Sequence, residues 1–285
     1  MKVDWLHQFR RIAIRFRKVL FSKKNSEPYL SGDFFSSLAD FRVNNLADLS
    51  YLLSSKENFK TIFCKSEMVI ELKKMIPLHF QSKILIAGNS DMEFIDINNL
   101  PLFAFERFFL QNSMISENIR IFTLPIGIEN LSLGQNGLPW LMRSNKGWDS
   151  RENKILVGPF SPTHNERDEL MLLDDKLPFI SKISFNLSPR ELSRLQTQFK
   201  YVACPRGNGI DTHRFWEVLY RGAVPVVKKS NWSSSLKILS LPMLEVDSWS
   251  SEDLQCAIES SNISDFKPKE LSSLWAEHWR ALFQR

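Results

Sequence analysis

The sequence predicts an α/β protein with two doubly wound domains that meet at a cleft. Short apolar stretches alternate with amphipathic helical stretches in two series, and a segment rich in Gly, Ser, Asn and charge separates them. Alternation of this kind indicates mostly parallel sheets with right-handed crossovers. Ligands of such sheets bind beyond the carboxyl ends of the strands, so we expect the ligand between the two domains.

The first series, residues 33–130, predicts the amino-terminal domain. Residues 83–87 (KILIA) form a short continuous apolar run, which is typical of a strand buried on both faces. The pattern further predicts strands at 61–64 and 121–126 and helices at 46–53, 67–75 and 102–110.

The second series, residues 154–285, predicts the carboxyl-terminal domain, and residues 131–153 are expected to connect the two domains. Strands are expected at 154–157, 179–184, 201–204 and 243–246, with a further strand ending at Val227. Helices are expected at 163–173, 189–198, 234–239, 251–259 and 268–283, and another follows the loop after the 201–204 strand.

Positive charge is concentrated at the amino terminus. Residues 1–24 contain eight Lys and Arg and one Asp, so with a total of +5 the rest of the chain carries −2. A nucleic-acid-binding protein is therefore not expected, since its folded domain would be basic. Apolar and basic positions in residues 5–21 have helical spacing, which predicts an amphipathic helix on an anionic membrane surface. A helix packed on its own protein and a disordered basic start are the alternatives, and residues 22–32 are expected to be a polar linker.

The cysteines and the apolar runs indicate the compartment. Cys64, Cys204 and Cys256 form no CxxC pair and no disulfide framework. No apolar run approaches the roughly 18 residues of a membrane-spanning helix, and arginines interrupt the start of the chain where a signal peptide would have its apolar core. We therefore expect a cytoplasmic protein, peripheral on the inner face of the membrane if residues 1–24 bind there.

One stretch, from Tyr201 to Val227, predicts a strand, a polar glycine-rich loop, a helix, a tight glycine turn and a second strand. Its sequence is YVACPRGNGIDTHRFWEVLYRGAVPVV. The N–H groups and dipole of a helix start attract anions such as a diphosphate. The glycines permit a positive φ and a close approach of a ligand to the backbone, and Asp211 or Thr212 can cap the helix. The candidate ligand-binding residues of the loop are Arg206, Gly207, Asn208, Gly209, Asp211 and Thr212.

Three side chains of the predicted helix are further candidates. His213 and Glu217 are four residues apart and share a helix face, and Arg214 is three residues before Glu217. A carboxylate one turn into such a helix can accept hydrogen bonds from a ribose diol. Alternatively, Glu217 pairs with Arg214 or Arg221 on a solvated face and His213 is a surface histidine. A metal site is less favoured, because no third His or Cys lies nearby in the sequence.

Residues 204–227 resemble the carboxyl-terminal motif of exostosin-like glycosyltransferases and related bacterial polysaccharide transferases. The shared pattern is a strand ending in Pro-Arg-Gly, a polar loop, an Arg-x-x-Glu helix and Gly-x-x-Pro-Val-Val. The rest of the chain agrees with these families in the order of elements only. The resemblance implies a GT-B glycosyltransferase with two Rossmann-like domains, of which the second binds a nucleotide sugar and the first carries the acceptor side.

The resemblance also implies residue roles and partners. Arg206 would contact the phosphates or the sugar, Glu217 the ribose, and His213 and Arg214 would line the donor pocket. The expected partners are a nucleotide-diphosphate sugar and a hydroxyl of a glycan or lipid-linked acceptor. Because the chain has no Asp-x-Asp motif to hold Mg²⁺ or Mn²⁺, we expect neither a metal nor another cofactor.

A second strand–helix junction, LVGPFSPTHNERDEL at residues 156–170, has the same design. It would be the first junction of the donor domain, where His164 and Arg167 could reach phosphates. The alternative is an ordinary capped helix start with Arg167 on the surface.

Two carboxylates are candidates for the general base, which would take a proton from the acceptor hydroxyl as its oxygen attacks the anomeric carbon. Asp91 lies in the polar loop after KILIA, and Glu129 follows the strand expected at 121–126. The alternative for Asp91 is a helix cap or an Asx turn. A non-catalytic nucleotide- or glycan-binding protein and a membrane-surface scaffold are the alternatives to an enzyme.

Overall fold

The computed structural model describes residues 26–116, 118–144 and 146–284 of the chain. The predicted amphipathic segment, residues 1–24, lies outside these ranges, as does its expected membrane contact. The described residues form an α/β structure with two parallel sheets of five strands each, as the alternating pattern predicts. None of the helices in these ranges combines the length and the apolar composition that crossing a membrane requires.

The first sheet has the strand order β1-β2-β3-β4-β5, so each strand pairs with the next one along the chain. Its strands are β1 (Phe41–Val43), β2 (Thr61–Lys65), β3 (Ser82–Gly88), β4 (Phe105–Leu110) and β5 (Ile121–Thr123). The helices of this half are α1 (Gly32–Ser37), α2 (Leu46–Ser54) and α3 (Met68–Met75). This order runs in one direction, so the first sheet lacks the reversal that defines a doubly wound sheet.

The second sheet has the order β10-β9-β8-β6-β7. Its strands are β6 (Glu152–Val157), β7 (Ile180–Lys182), β8 (Phe199–Ala203), β9 (Val224–Lys228) and β10 (Leu244–Val246). The chain goes from β6 to β7 on one side and then to β8 on the other side, so the order reverses between β6 and β8. This half therefore has the doubly wound arrangement that the sequence predicts.

The helices of the second half follow its strands. They are α4 (Asn165–Met171), α5 (Pro189–Gln196), α6 (His213–Tyr220), α7 (Asn231–Leu236), α8 (Ser251–Glu259) and α9 (Ala276–Gln284). Helix α5 begins with a capping box in which Ser188 and Glu191 exchange hydrogen bonds. Helix α7 begins at Asn231 and not at 234, because Ser230 and Ser233 form the same kind of cap.

Alternating side chains of the first sheet serve two separate cores. Phe63, Ile86 and Phe109 pack in a core that is continuous with that of the second sheet, whereas Cys64 and Phe108 point into a core confined to the first half. This alternation follows from the two-residue period of a strand. Both faces of the central strands are therefore buried, in agreement with the apolar KILIA run.

The prediction of a helix at residues 102–110 is wrong, since Phe105–Leu110 is strand β4. This strand pairs in parallel with both β3 and β5. Its sequence, FERFFL, is rich in aromatic residues, which favour strands. A short run buried on both faces has no helical or alternating period by which to tell a helix from a strand. Strand β1 is also absent from the predicted elements.

The helix predicted at 268–283 is interrupted. Two single 3₁₀ turns, Pro268–Glu270 and Ser272–Leu274, precede helix α9. Trp275, between the second turn and α9, is extended and forms a bridge with Tyr29. The bridge with Tyr29 therefore takes the place of a helical turn at this position.

Residues 26–32 are not the polar linker that composition predicts. Ser26, Leu30 and Ser31 are buried, and the Leu30 N–H donates to the Tyr220 hydroxyl at 3.0 Å. The Ser26 hydroxyl donates to the Ser31 hydroxyl at 2.6 Å. Buried internal hydrogen bonds satisfy these polar groups, so the segment packs as part of the fold.

Residues 131–153 connect the two sheets through three short 3₁₀ turns, as the lack of a period predicts. Leu138, Leu141 and Trp148 anchor this connection by burial in the shared core. Helix α9 then returns to the first sheet, where Phe283 lies 4.4 Å from Phe109 between ring centroids. The two halves are therefore joined at both ends of the second series.

Candidate functional site

A cleft of about 680 Å³ opens where the carboxyl ends of strands from both sheets meet. Its volume lies in the range of small-ligand sites, roughly 300–1,000 Å³. The second half contributes residues from the segments after β6 and β8, namely Pro159–Thr163, Pro205, Gly207–Gly209 and Asp211–Arg214, and the first half contributes Asp91 and Ile126. The reversal of strand order between β6 and β8 separates these two loops and leaves a crevice there.

Two arginines line the cleft on the side of the second half. Arg167 donates from Nε to the Arg206 carbonyl at 2.9 Å and from Nη1 to the Ser161 carbonyl at 2.9 Å. Arg214 donates from Nη2 to the Pro159 carbonyl at 2.7 Å, and its guanidinium lies 4.8 Å from the centroid of the Phe160 ring. Carbonyls and a ring hold both side chains, so neither charge is matched by a directly bonded carboxylate in the described part of the chain.

Burial disfavours the charged form of both guanidinium groups. It lowers the pKa of Arg214 and that of Arg167, which the neighbouring positive charge of Arg214 lowers further. The Nη1 atom of Arg214 is buried and has no hydrogen-bond partner among the described residues. Because a buried unpaired donor is costly, this atom marks a place for an acceptor.

Glu217 lines the same cleft and is buried. Its Oε2 accepts a hydrogen bond from Arg221 Nη1 at 3.2 Å. Arg221 is also buried, and it donates to the Leu141 carbonyl at 2.9 Å and to Gln196 Oε1. The pairing with Arg221 that spacing allowed is thus present, but on a buried face and not on a solvated one. No hydrogen bond of Oε1 is found in the described ranges.

Asp211 holds the two halves together and does not cap the helix. Its Oδ2 accepts from the Ile126 N–H of the first half at 2.8 Å, and its Oδ1 accepts from Trp216 Nε1 at 2.8 Å. Burial raises the pKa of this carboxyl to about 7, although both hydrogen bonds act in the opposite direction. Thr212 occupies the N-cap position of α6 without a side-chain cap bond. Both residues border the cleft.

Gly207 and Gly209 do not adopt the positive φ that the sequence allows; each instead leaves space for a neighbouring side chain. Neither Gly207 nor Gly209 has a positive φ. A Cβ on Gly207 would lie 2.7 Å from Arg167 Nη2, and a Cβ on Gly209 would lie 2.8 Å from the Asn112 side chain. Each glycine therefore makes room for a side chain of the protein, one at the cleft and one between the halves.

Arg206 and Asn208 both bond to the first half. Arg206 forms an ion pair with Glu93 and is not among the residues that line the cleft. Asn208 Nδ2 donates to Asp91 Oδ2 at 3.1 Å. Of the three candidate arginines, Arg167 and Arg214 therefore line the cleft and Arg206 does not.

His164 and Glu129 are placed outside the cleft lining. The Nδ1 atom of His164 accepts from the Glu166 N–H at 3.3 Å, which caps helix α4. Glu129 Oε2 accepts from three successive backbone N–H groups, those of residues 135–137, at 2.7–3.3 Å. Both side chains therefore bond to the backbone close to them in the sequence. For His164, this agrees with the alternative of an ordinary capped helix start at the 156–170 junction.

Asp91 and His213 lie at the border between the cleft and a second, smaller cavity of about 350 Å³. Asp91 is exposed. His213 Nδ1 lies 2.8 Å from the Gly127 carbonyl of the first half. Hereafter this smaller space is called the small cavity; its other lining residues are Gly32, Glu67, Asn89, Ser90, Gln111, Ile126, Asn130 and Leu133.

Sequence reasoning missed Asn112 and Glu93, which hold the loop after β8 from the first half. Asn112 Oδ1 accepts from the Asp211 N–H at 2.8 Å, and Asn112 Nδ2 donates to the Ser90 carbonyl at 2.9 Å. Asn112 follows strand β4, so a correct strand prediction for FERFFL would have placed it at the carboxyl edge of the sheet. For Glu93 the sequence carries no comparable signal.

A larger cavity of about 760 Å³ lies at the other end of helix α6, beside Tyr220–Gly222. Aromatic and basic side chains line it, among them Tyr29, Trp148 and Trp275. It is remote from the strand ends that form the cleft. Within the described residues, no three His, Cys, Asp or Glu side chains lie close enough together to hold a metal ion.

A scan against protein-family models and a search of curated proteins both found no match to this chain.

Proposed function

We propose that the protein is a glycosyltransferase of the GT-B type, which moves a sugar from a nucleotide-diphosphate donor to a hydroxyl of a glycan or lipid-linked acceptor. The observation that carries the proposal is the pair Arg167 and Arg214 at the strand-order reversal of the second sheet. Two parallel sheets with a cleft at their carboxyl edges are compatible with this fold, and the resemblance of residues 204–227 supports the reaction.

The arginine pair is suited to a diphosphate. Both guanidinium groups lie in the cleft, Arg214 Nη1 has no partner in the described ranges, and the positive charge of one lowers the pKa of the other. A bound dianion would neutralise this repulsion and satisfy the unpaired donor. In the reaction, the same charges would stabilise the diphosphate as it leaves with the electrons of the sugar–oxygen bond.

Glu217 is suited to the ribose. Arg221 holds one carboxylate oxygen through a buried hydrogen bond, and the other has no hydrogen bond in the described ranges, although Glu217 lines the cleft. A ribose diol presents two hydroxyl donors, which a fixed carboxylate oxygen can accept. We propose that Arg221 positions Glu217 and that Glu217 selects a nucleotide with an intact ribose.

The test is binding of free nucleotides and turnover of nucleotide sugars. UDP, GDP, CMP and TDP are titrated by calorimetry and thermal shift with EDTA present, and release of nucleotide from UDP-, GDP-, CMP- and TDP-sugars is followed with and without EDTA. We expect one nucleoside diphosphate to bind, its sugar to turn over, and the Arg214→Gln variant to bind it at least about tenfold more weakly. The exposed Arg194 provides a matched control, and Arg194→Gln should bind as the wild type does.

Two outcomes would contradict the proposal. If no nucleotide binds, the cleft has another ligand. If a nucleotide binds but no nucleotide sugar turns over with any glycan acceptor tested, the protein is the non-catalytic nucleotide-binding alternative. Deletion of residues 1–24 should leave turnover on a soluble acceptor intact, whereas a membrane-surface scaffold would lose its role.

A further inference from the structure

His213 lies where the cleft and the small cavity meet, and it lines both of them. It is the first residue of helix α6, so its backbone belongs to the second half. Its ring contacts the first half through Nδ1 and the Gly127 carbonyl, which are 2.8 Å apart. A side chain at this border can contact a ligand in either space.

The contact with Gly127 fixes the tautomer of the neutral ring. A carbonyl oxygen only accepts hydrogen bonds, so Nδ1 must carry the proton and donate. In the neutral ring the lone pair is then on Nε2. No hydrogen bond of Nε2 is found among residues 26–116, 118–144 and 146–284, and the atom is not among the buried unpaired ones. His213 therefore offers a free, accessible basic nitrogen at the border.

The small cavity has the polar lining of a site for sugar hydroxyls. Gln111 Oε1 accepts from the Asn89 N–H at 2.9 Å, and Gln111 Nε2 donates to the Ser90 carbonyl at 2.9 Å. The Ser90 hydroxyl donates to Glu67 Oε1 at 2.7 Å. These contacts fix amide, hydroxyl and carboxylate groups in place, and each retains capacity to bond a neutral hydroxyl-rich ligand.

We propose that the small cavity binds the acceptor sugar and that His213 is the general base of the transfer; this inference rests on the proposed function. The acceptor oxygen attacks the anomeric carbon of the donor and forms the new C–O bond. Its proton passes to His213 Nε2, and the bond between the anomeric carbon and the phosphate oxygen breaks. The nucleoside diphosphate leaves with that electron pair toward Arg167 and Arg214. His213 then returns the proton to water.

Asp91 is the other group at this border, and His213 is better placed as the base. The Asp91 carboxylate is exposed and already accepts a hydrogen bond from Asn208, whereas Nε2 of His213 is unbonded in the described part of the chain. The charged groups that line the two spaces around His213 are Glu67, Asp91, Arg167, Asp211, Arg214 and Glu217. The test therefore uses variants at the border itself.

The decisive variants are His213→Asn and Asp91→Asn, with His79→Asn at an exposed histidine as the control. The amide introduced by His213→Asn can still donate to the Gly127 carbonyl, so thermal unfolding should change little. The probe is the nucleotide sugar identified by the binding panel, with methyl glycosides and water as acceptors. We expect His213→Asn to bind the nucleoside diphosphate within about twofold of the wild type and to lose about 100-fold or more in transfer rate.

Two further readouts separate catalysis from a structural role. The wild-type transfer rate should fall as pH decreases, because a protonated base cannot take the acceptor proton, and this acidic limb should be absent from His213→Asn. In His213→Ala, added imidazole should restore part of the rate. The exposed Glu67 tests the cavity, since Glu67→Gln should raise the KM of the methyl glycoside about tenfold without weakening nucleotide binding.

The outcomes that overturn the inference differ from those that overturn the proposed function. Transfer by His213→Asn within about fivefold of the wild type, or loss of the rate in Asp91→Asn alone, excludes His213 as the base while the transferase stands. A slow His213→Asn variant that keeps the acidic limb, with no imidazole rescue of His213→Ala, indicates a structural role. A wild type that binds no nucleotide overturns both.

Discussion

The two walls of the cleft are built by the same kind of sheet edge and carry opposite chemistry. The wall from the second half presents two arginines with no bonded carboxylate among the described residues. On the side of the first half, the small cavity that borders the cleft presents amides, a hydroxyl and the carboxylates of Glu67 and Asp91. Under the proposed function, the two arginines, which lie beside the carboxylates of Asp211 and Glu217, would face the anionic donor, and the hydroxyl-binding groups of the small cavity would face the neutral acceptor.

The difference follows from how the two sheets are wound. In the second sheet the strand order reverses between β6 and β8, so the loops after these strands diverge and leave a crevice that Arg167 and Arg214 enter from two sides. In the first sheet the order is sequential, and the loops after β3 and β4 lie side by side. There Gln111 and Asn112 bond to the loop of residues 88–91 and fill the space between neighbours. Topology thus decides which wall stays open to a charged ligand.

The largest effect is expected where the two walls are joined. Asp211→Ala leaves the Ile126 N–H and Trp216 Nε1 without their acceptor. The Trp216 donor is buried and the Ile126 donor is partly buried. We expect a loss of about 3 kcal/mol in the free energy of unfolding, measured by urea denaturation. The exposed Asp168 is the control, and Asp168→Ala should change stability by less than about 0.5 kcal/mol. A loss below about 1 kcal/mol for Asp211→Ala would mean that the walls are held together elsewhere.

The role of the positive charge in the cleft is tested by replacing Arg214. Arg214→Gln removes the unpaired buried donor and keeps a shorter polar side chain in the cleft. We expect the affinity for the nucleoside diphosphate to fall by about 2 kcal/mol, roughly 30-fold, because hydrogen bonds to charged groups contribute about 1.5–3 kcal/mol. Calorimetric titration measures it. An unchanged affinity would mean that the bound anion does not contact Arg214.

The junction between the walls should also respond to pH. The pKa of Asp211 is raised to about 7 in the folded protein, against about 3.9 for an unperturbed Asp. A raised carboxyl pKa stabilises the fold at low pH, and this contribution is lost as pH rises from about 4 to about 7. We expect the stability of the wild type, relative to Asp211→Asn, to fall by at most about 1.4 kcal/mol for each pH unit in this window.

Thermal unfolding of both proteins at pH 5, 6, 7 and 8 gives this difference directly. The comparison is repeated with His213→Asn in both proteins as a background control. A difference in stability that stays constant across the window, or grows as pH rises, contradicts the raised pKa of Asp211.

The smallest expected effect tests whether Arg167 contacts the nucleotide. A Cβ on Gly207 would meet the end of the Arg167 side chain, which can move aside at little cost. We expect Gly207→Ala to change stability by less than about 1 kcal/mol and to weaken nucleotide binding a few-fold, because the guanidinium shifts. Gly147→Ala is the matched control, since nothing lies within 4 Å of a Cβ at that position. Equal binding by the two variants would show that Arg167 does not contact the nucleotide.

The sequence predicts local elements well and partners across the cleft poorly. Helix α6 and the loop before it follow from glycine, proline and apolar spacing within about 25 residues, and Arg214 and Glu217 are found in that way. The ion pair of Arg206 could not be predicted, because its partner, Glu93, is 113 positions away and no local pattern encodes it. The same holds for Asp211, whose spacing fits a helix cap while its carboxylate bonds to Ile126 of the other half.

A crystal structure of the protein with a bound nucleoside diphosphate tests the role of the cationic wall most directly. The proposal predicts the diphosphate within hydrogen-bond distance of Arg214 Nη1 and Arg167 and the ribose diol at Glu217. A diphosphate bound instead in the aromatic and basic cavity beside Tyr220–Gly222, with the cleft empty, would contradict it.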